Sequence, residues 1–176
     1  YIDNLYKLLH RDGHLRRDCQ RLINQDRNVF AASMVSAGDA DAMVTGNTRR
    51  YSSSLEKVLT VANARKDEIL FGLNLIVNRG KTIFIADTAV HEWPDSKQLA
   101  EIAISSARIA KLFGMEPKVA FLSHSTFGQP VTTRTKQIRE AVEILKEKKV
   151  DFKFDGDMQP DVALDEIYKE LYPFSE

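Results

Sequence analysis

Residues 95–114, DSKQLAEIAISSARIAKLFG, followed at 118–128 by KVAFLSHSTFG, decide the fold. Asp95 stands three residues before Gln98, the spacing of a capping box, and Pro94 precedes it. A helix is therefore expected from Ser96 to Phe113, stopped by Gly114 and kept from resuming by Pro117. Lys118–Leu122 then reads as a strand that opens into a loop of small and hydroxyl-bearing residues. Downstream, Arg134–Lys149 places Ile138, Ala141, Val142 and Leu145 on one helical face, Phe152–Phe154 reads as a strand, and Asp161–Tyr172 as a final helix.

Upstream, Cys19, Leu22, Ile23, Phe30 and Met34 predict one amphipathic helix over 18–37, ended by Gly38. Ala42–Thr45, closed by Gly46, reads as a short buried strand, and 52–62 returns to helical spacing. Two β-rich runs, Ile69–Val77 and Thr82–Ala86, flank Asn78-Arg79-Gly80-Lys81 and predict a hairpin. Helix and strand thus alternate, which argues for an α/β layered fold with a mainly parallel sheet, mixed where the hairpin joins it.

The chain has 176 residues, enough for one domain or most of a somewhat larger one. Its basic and acidic residues balance at 25 each, which gives no sign of a nucleic-acid or anionic-membrane partner. One cysteine, Cys19, excludes an internal disulfide and fits a reducing, cytoplasmic compartment. No apolar run approaches the roughly 20 residues that span a bilayer, and the first turn is too polar for a signal peptide. A first residue of Tyr suggests a fragment of a larger protein.

Polar residues collect after the predicted strands. Gly46-Asn47-Thr48-Arg49-Arg50 follows the first, Asp87-Thr88-Ala89 adjoins Ile83–Ala86, and Ser123-His124-Ser125-Thr126-Phe127-Gly128 follows Leu122. Asp155-Gly156-Asp157 comes after Phe154. In parallel α/β sheets, ligands bind outside the carboxyl ends of the strands, so these clusters are expected to converge on one cleft. Small residues let a backbone approach a phosphate, hydroxyls donate to its oxygens, and guanidinium groups grip it at two points.

Each cluster also has a plain turn-forming explanation, since Ser, Thr, Asp and Gly favour turns for local reasons. The 123–128 loop lacks the Gly-Lys-Ser/Thr of a Walker loop, and His124 fits either a general base or a carbonyl-satisfying side chain. A serine-hydrolase elbow needs Gly-x-Ser-x-Gly, whereas Phe121 and Leu122 precede Ser123. His10 with His14, His91 with Glu92, and Asp39 with Asp41 are too sparse to predict a metal site.

Five collinear segments carry a family resemblance. Gly38–Gly46, Ile85–Val90, Gln98–Ala103, Lys118–Thr126 and Asp155–Asp161 resemble, in order, the motifs of phosphotransacetylases. Arg16–Gln20, Asn24–Phe30, Thr48–Tyr51 and Ser123-His124-Ser125 are similar to the version of this domain fused behind the oxidoreductase part of large NADP-dependent malic enzymes. The resemblance implies a three-layer α/β/α domain over 1–176, truncated at both ends relative to its parent. It also implies transfer of acetyl between coenzyme A and phosphate, with two departures. Glu56 stands where active enzymes carry an arginine, and the family's later strand and loop with catalytic Ser, Arg and Asp lie past Glu176.

These features point to a ligand-sensing domain for acetyl-CoA or a related acyl-CoA, not catalytic by itself, in the same chain as a malic-enzyme catalytic part. Thr48, Arg49, Arg50, Asp87, Thr88, Ser123, Ser125, Thr126 and Gly128 are the expected ligand contacts. By resemblance, NADP and a divalent metal belong to the parent enzyme, and a homo-oligomer is expected. A phosphate acetyltransferase, and an oligomerisation domain with a vestigial cleft, are the alternatives.

Overall fold

The structure, a computed structural model, describes residues 1–62, 68–128 and 130–175. The chain divides into two compact units, residues 1–65 and 66–176.

The first unit is helical: α1 (Ile2–Leu9), a 3-10 turn (His10–Asp12), α2 (Arg16–Gln25), α3 (Arg27–Ala37) and α4 (Tyr51–Leu59). Leu5, Cys19, Ile23, Val29, Ala32 and Val61 form its core. The helix expected over 18–37 is two helices, because Asp26 adopts an extended conformation and caps α3. Its Oδ1 accepts the amides of Asn28 at 2.9 Å and Val29 at 3.3 Å, two donors that have no partner at a helix start.

The expected strand Ala42–Thr45 does not form. None of the described ladders includes it and Val44 is fully exposed, so its apolar pattern lacks the lateral neighbour a strand requires. The segment is instead tied by side chains to the start of α3, with Thr45 Oγ1 donating to Asn28 Oδ1 at 2.6 Å.

The second unit holds the strands and bears out the α/β class. β1 (Leu73–Asn78) and β2 (Lys81–Ala86) form the expected hairpin, in register from Leu73 opposite Ala86 to Asn78 opposite Lys81. Arg79 and Gly80 both have positive φ, 47° and 79°, as a two-residue turn matching the strand twist needs. Then follow α5 (Ser96–Leu112), β3 (Lys118–Leu122), α6 (Thr133–Lys148), β4 (Lys153–Met158) and α7 (Pro160–Leu164). The described strands make two two-stranded sheets, β1 with β2 antiparallel and β3 with β4 parallel. No described helix is long and apolar enough to cross a membrane.

The α5 capping box is present in both halves: Gln98 N–H donates to Asp95 Oδ1 at 2.8 Å, and Asp95 N–H to Gln98 Oε1 at 2.9 Å. Ala100, Ala103, Phe121, Ile138, Ala141, Val142 and Leu145 form the core, packing α5 and α6 against β3. The helix expected over 161–172 breaks at Asp165, whose carboxylate accepts Ile167 N–H at 3.1 Å and starts a 3-10 turn over Glu166–Glu170.

β4 runs past its expected end at Phe154 to Met158, so Asp155-Gly156-Asp157 is strand and not loop. Gly156 permits this. A Cβ there would lie 2.7 Å from Phe121 Cβ and 2.9 Å from Phe121 O on the paired strand. Replacing Gly156 with Ala is expected to cost about 1–3 kcal/mol of stability through overpacking. Urea unfolding reads this as a lower midpoint, and an unchanged midpoint would show that the Phe121 backbone can give way.

Candidate functional site

Two buried aspartates shape the loops of the second unit. Asp87 follows β2 with its side chain only 1 % exposed. Its Oδ1 accepts the amides of Gly72 at 2.8 Å, Ala89 at 3.1 Å and Val90 at 3.1 Å. Its Oδ2 accepts the His91 amide at 2.8 Å and lies 2.8 Å from His91 Nδ1. Burial acts to raise this carboxyl's pKa, but the hydrogen bonds from the Ala89 amide, the His91 ring and the Gly72 and His91 amides outweigh it and hold it at about 2. Gly72 makes room, since a Cβ there would stand 2.9 Å from Asp87 Oδ1.

Asp157, on β4, is equally buried and organises the 123–128 loop. Its Oδ2 accepts from Ser125 Oγ at 2.8 Å, and its Oδ1 from Arg139 Nε at 3.0 Å. Burial again acts to raise the carboxyl's pKa, and the Ser125 and Arg139 hydrogen bonds overcome it and hold it below its ordinary value. Arg139 Nη2 also donates to Gly128 O at 2.9 Å. Backbone bonds complete the frame, with Ser123 N–H donating to Met158 O and Phe127 N–H to Asp157 O, both at 2.8 Å. The Phe127 ring packs against Tyr172 and Phe174, with centroids 5.6 and 5.1 Å away.

The three hydroxyls of this loop have different roles. Ser125 is buried and points its proton at Asp157, so it is a structural donor. Ser123 Oγ accepts the Ser125 amide at 3.2 Å, and Thr126 Oγ1 accepts the Gln159 amide at 3.2 Å. Ser123 Oγ also lies 3.3 Å from Ser125 Oγ, and because the Ser125 proton goes to Asp157, Ser123 is the donor in that pair. Thr126 Oγ1 has an acceptor position filled from the backbone and keeps its own proton, and its half-buried place at the loop surface suits donation to an anion. His124 is exposed, and its carbonyl accepts from Gln159 Nε2 at 3.0 Å.

The expected contacts therefore fall into three groups. Ser123, Ser125, Thr126 and Gly128 come together in one loop. Asp87 has both oxygens engaged by its own loop, where Thr88 Oγ1 lies 3.2 Å from Asn74 Oδ1. Thr48, Arg49 and Arg50 belong to the first unit. There Arg49 Nη1 pairs with Asp26 Oδ2 at 2.8 Å, Thr48 accepts from Arg27, and Arg50 is exposed at the N-cap of α4 with no side-chain hydrogen bond from that cap.

Sequence reasoning placed Asp157 in a strand-end cluster but missed Arg139, Gln159 and His91 as site-forming residues. Asp157 had a visible signal in the Asp-Gly-Asp run, whereas Arg139 looked like any charged residue on a helix surface. Of the sparse metal candidates, His10 Nδ1 sits against the Tyr6 and Lys7 carbonyls at 3.1 and 3.0 Å, and Asp39 accepts from the Tyr1 hydroxyl at 2.5 Å.

The phosphate acetyl/butaryl transferase family matches residues 1–176, and the chain belongs to it. An NADP-dependent malic enzyme of Rhizobium meliloti is 51% identical over 99% of this chain and 23% of that protein. A phosphate acetyltransferase of Bacillus subtilis is 35% identical over 87% of this chain and 48% of its own length. A phosphotransacetylase structure from Streptococcus pyogenes superposes with a TM-score of 0.83 at 28% identity, over 96% of this chain and 53% of that one. The chain thus spans about a quarter of the malic enzymes it matches and about half of the Bacillus subtilis and Streptococcus pyogenes proteins.

Because the Asp87 pKa is depressed in the folded state, its stabilisation is present above about pH 4 and is lost as pH falls towards about 2. Asp87→Asn is expected to be less stable at pH 7 by on the order of 2 kcal/mol. The gap to the parent protein should close as pH is lowered through that window. Denaturation midpoints measured across pH 2–7 check this, and a gap independent of pH would assign the loss to packing instead.

Proposed function

We propose that this chain is the acyl-CoA-binding, phosphotransacetylase-like C-terminal domain of an NADP-dependent malic enzyme. Its ligand is acetyl-CoA or a related acyl-CoA, and occupancy regulates the oxidative decarboxylation of malate to pyruvate carried out elsewhere in the same protein. NADP and a divalent metal belong to that catalytic part, and the whole works as a homo-oligomer in the cytoplasm.

The observation that carries this reading is the 123–128 loop. Thr126 is held by a backbone amide with its proton left to donate, and Ser123 is held beside it through Ser125, on a frame set by a buried carboxylate. Such preset donors suit the phosphate and carbonyl oxygens of an acyl-CoA. In the first unit, taken by itself, the exposed Arg50 stands at a helix start where N–H groups carry partial positive charge, a separate source of anion affinity in the same turn as Thr48 and Arg49. Thr88 and Asp87 belong to another polar loop of the second unit, with Asp87 acting through the backbone it organises. The identity to malic enzymes along nearly all of this chain supports the choice of parent.

Regulation requires the ligand to favour one arrangement of the assembly over another, so binding alone is not sufficient. In the full-length protein, acetyl-CoA is expected to bind and to change the rate of malate-dependent NADP reduction. Arg50→Ala and Thr126→Val should each weaken acetyl-CoA binding by about 5- to 30-fold, the size of one lost charge-assisted or neutral hydrogen bond. Absence of binding together with a malate rate indifferent to acetyl-CoA would sink the proposal. Phosphate-dependent release of free CoA from acetyl-CoA would replace it with the acetyltransferase reading. An assembly state that changes on removal of this segment, with no acetyl-CoA binding, would favour the oligomerisation reading.

A further inference from the structure

The 123–128 loop leaves β3 at Leu122 and has no ladder of its own, so its shape depends on what grips it. Its near end is held by Asp157 through Ser125, and its far end by the guanidinium of Arg139 through the Gly128 carbonyl. The same guanidinium bonds Asp157, so one planar group ties both ends of the loop to β4.

Arg139 is well placed for this. It lies on α6 beside Ile138, which is almost fully buried, and two residues before the fully buried Ala141. The helix start is fixed by Thr132, whose hydroxyl accepts the Thr135 amide at 3.2 Å. The side chain therefore projects from a rigid platform, as a group that sets the geometry of a binding loop must.

We infer that Arg139 is the positioning residue of the anion-binding loop, holding Thr126 in donating geometry and the Ser123–Ser125 pair in place through Asp157 and Gly128. The ligand part of this rests on the proposed acyl-CoA reading; the positioning part does not. Guanidinium chemistry is required because Nε and Nη2 serve two acceptors in one plane. A lysine ammonium keeps the charge but presents a single centre on a flexible stem. Removing the cation also leaves a buried carboxylate without its ion pair, which favours rearrangement of the loop that shares that carboxylate.

The test compares the full-length protein with its Arg139→Met and Arg139→Lys variants. Without ligand, backbone amide hydrogen exchange within 123–128 is expected to speed up at least tenfold in both, while amides in the middle of α5 and α6 keep their protection. In parallel, acetyl-CoA affinity should fall at least tenfold in both variants, with no rescue by Lys. Unchanged exchange in the loop overturns the inference, as does rescue of both readouts by Lys. Faster exchange spread equally over α5 and α6 also overturns it, because Arg139 would then only support the fold. Should Arg139→Met fail to fold, Arg139→Lys carries the same measurements. If the unmodified protein binds no acetyl-CoA yet its loop loosens in the variants, the positioning role stands and the acyl-CoA reading falls.

Discussion

The second unit depends on the burial of two carboxylates. Asp87 and Asp157 each leave only 1 % of their side chain to solvent. An unpaired carboxylate in such a place costs several kcal/mol, so the surrounding chain must bring donors to it. For Asp87 the donors are four backbone amides and an imidazole. For Asp157 they are a hydroxyl and a guanidinium. The two loops have the shapes they have because only those shapes bring the donors within reach.

The same rule sets the nearby glycines. Gly72 and Gly156 are the two positions where a Cβ would come within 3 Å of another atom, and each lies against this machinery. Gly72 admits the Asp87 carboxylate to its own amide, and Gly156 lets β4 close on Phe121 so that Asp157 reaches the 123–128 loop. In the first unit Asp26 plays a milder version of this part. It caps α3 with one oxygen and holds Arg49 with the other, which links the 45–50 turn to the start of α3. Burial raises the pKa of that carboxyl, and the Arg49 pair and the two amides more than offset it.

Legibility in the sequence followed the range of the forces involved. α5, β3, α6 and the hairpin were readable because their signals are local: a capping box, an apolar stripe, a Gly turn with positive φ. The breaks at Asp26 and Asp165 were not, since an aspartate within a helical pattern looks like a solvated face residue until its backbone turns extended and it becomes a cap. The missing strand at 42–45 shows the opposite limit, because a run of Ala, Met, Val and Thr cannot announce whether a neighbouring strand exists. At the site, the Ser/Thr loop was visible as composition. Arg139 was not, because its importance comes from Asp157, 18 residues away in sequence. Of the expected strand-end clusters, the one after 42–45 follows no strand and 155–157 lies within β4, while long-range pairing decided which residues hold the 123–128 loop.

That division bears on chemistry as well as on shape. Transfer of an acetyl group to phosphate builds negative charge that an enzyme stabilises with preset positive donors. Three of the arginines at or beside the predicted contacts already have partners. Arg139 is paired with Asp157, Arg49 with Asp26, and Arg27 donates to Thr48. Glu56 is an exposed carboxylate on α4 whose ion pair is with the adjacent Lys57. In the 123–128 loop itself the hydroxyl left to donate is a neutral one, that of Thr126. Neutral donors hold an acyl-CoA or phosphate oxygen with modest strength and without strongly favouring a more highly charged transition state over the bound ligand. A loop built this way is suited to reversible binding of an anion, and stronger stabilisation of developing charge has to come from cations outside it.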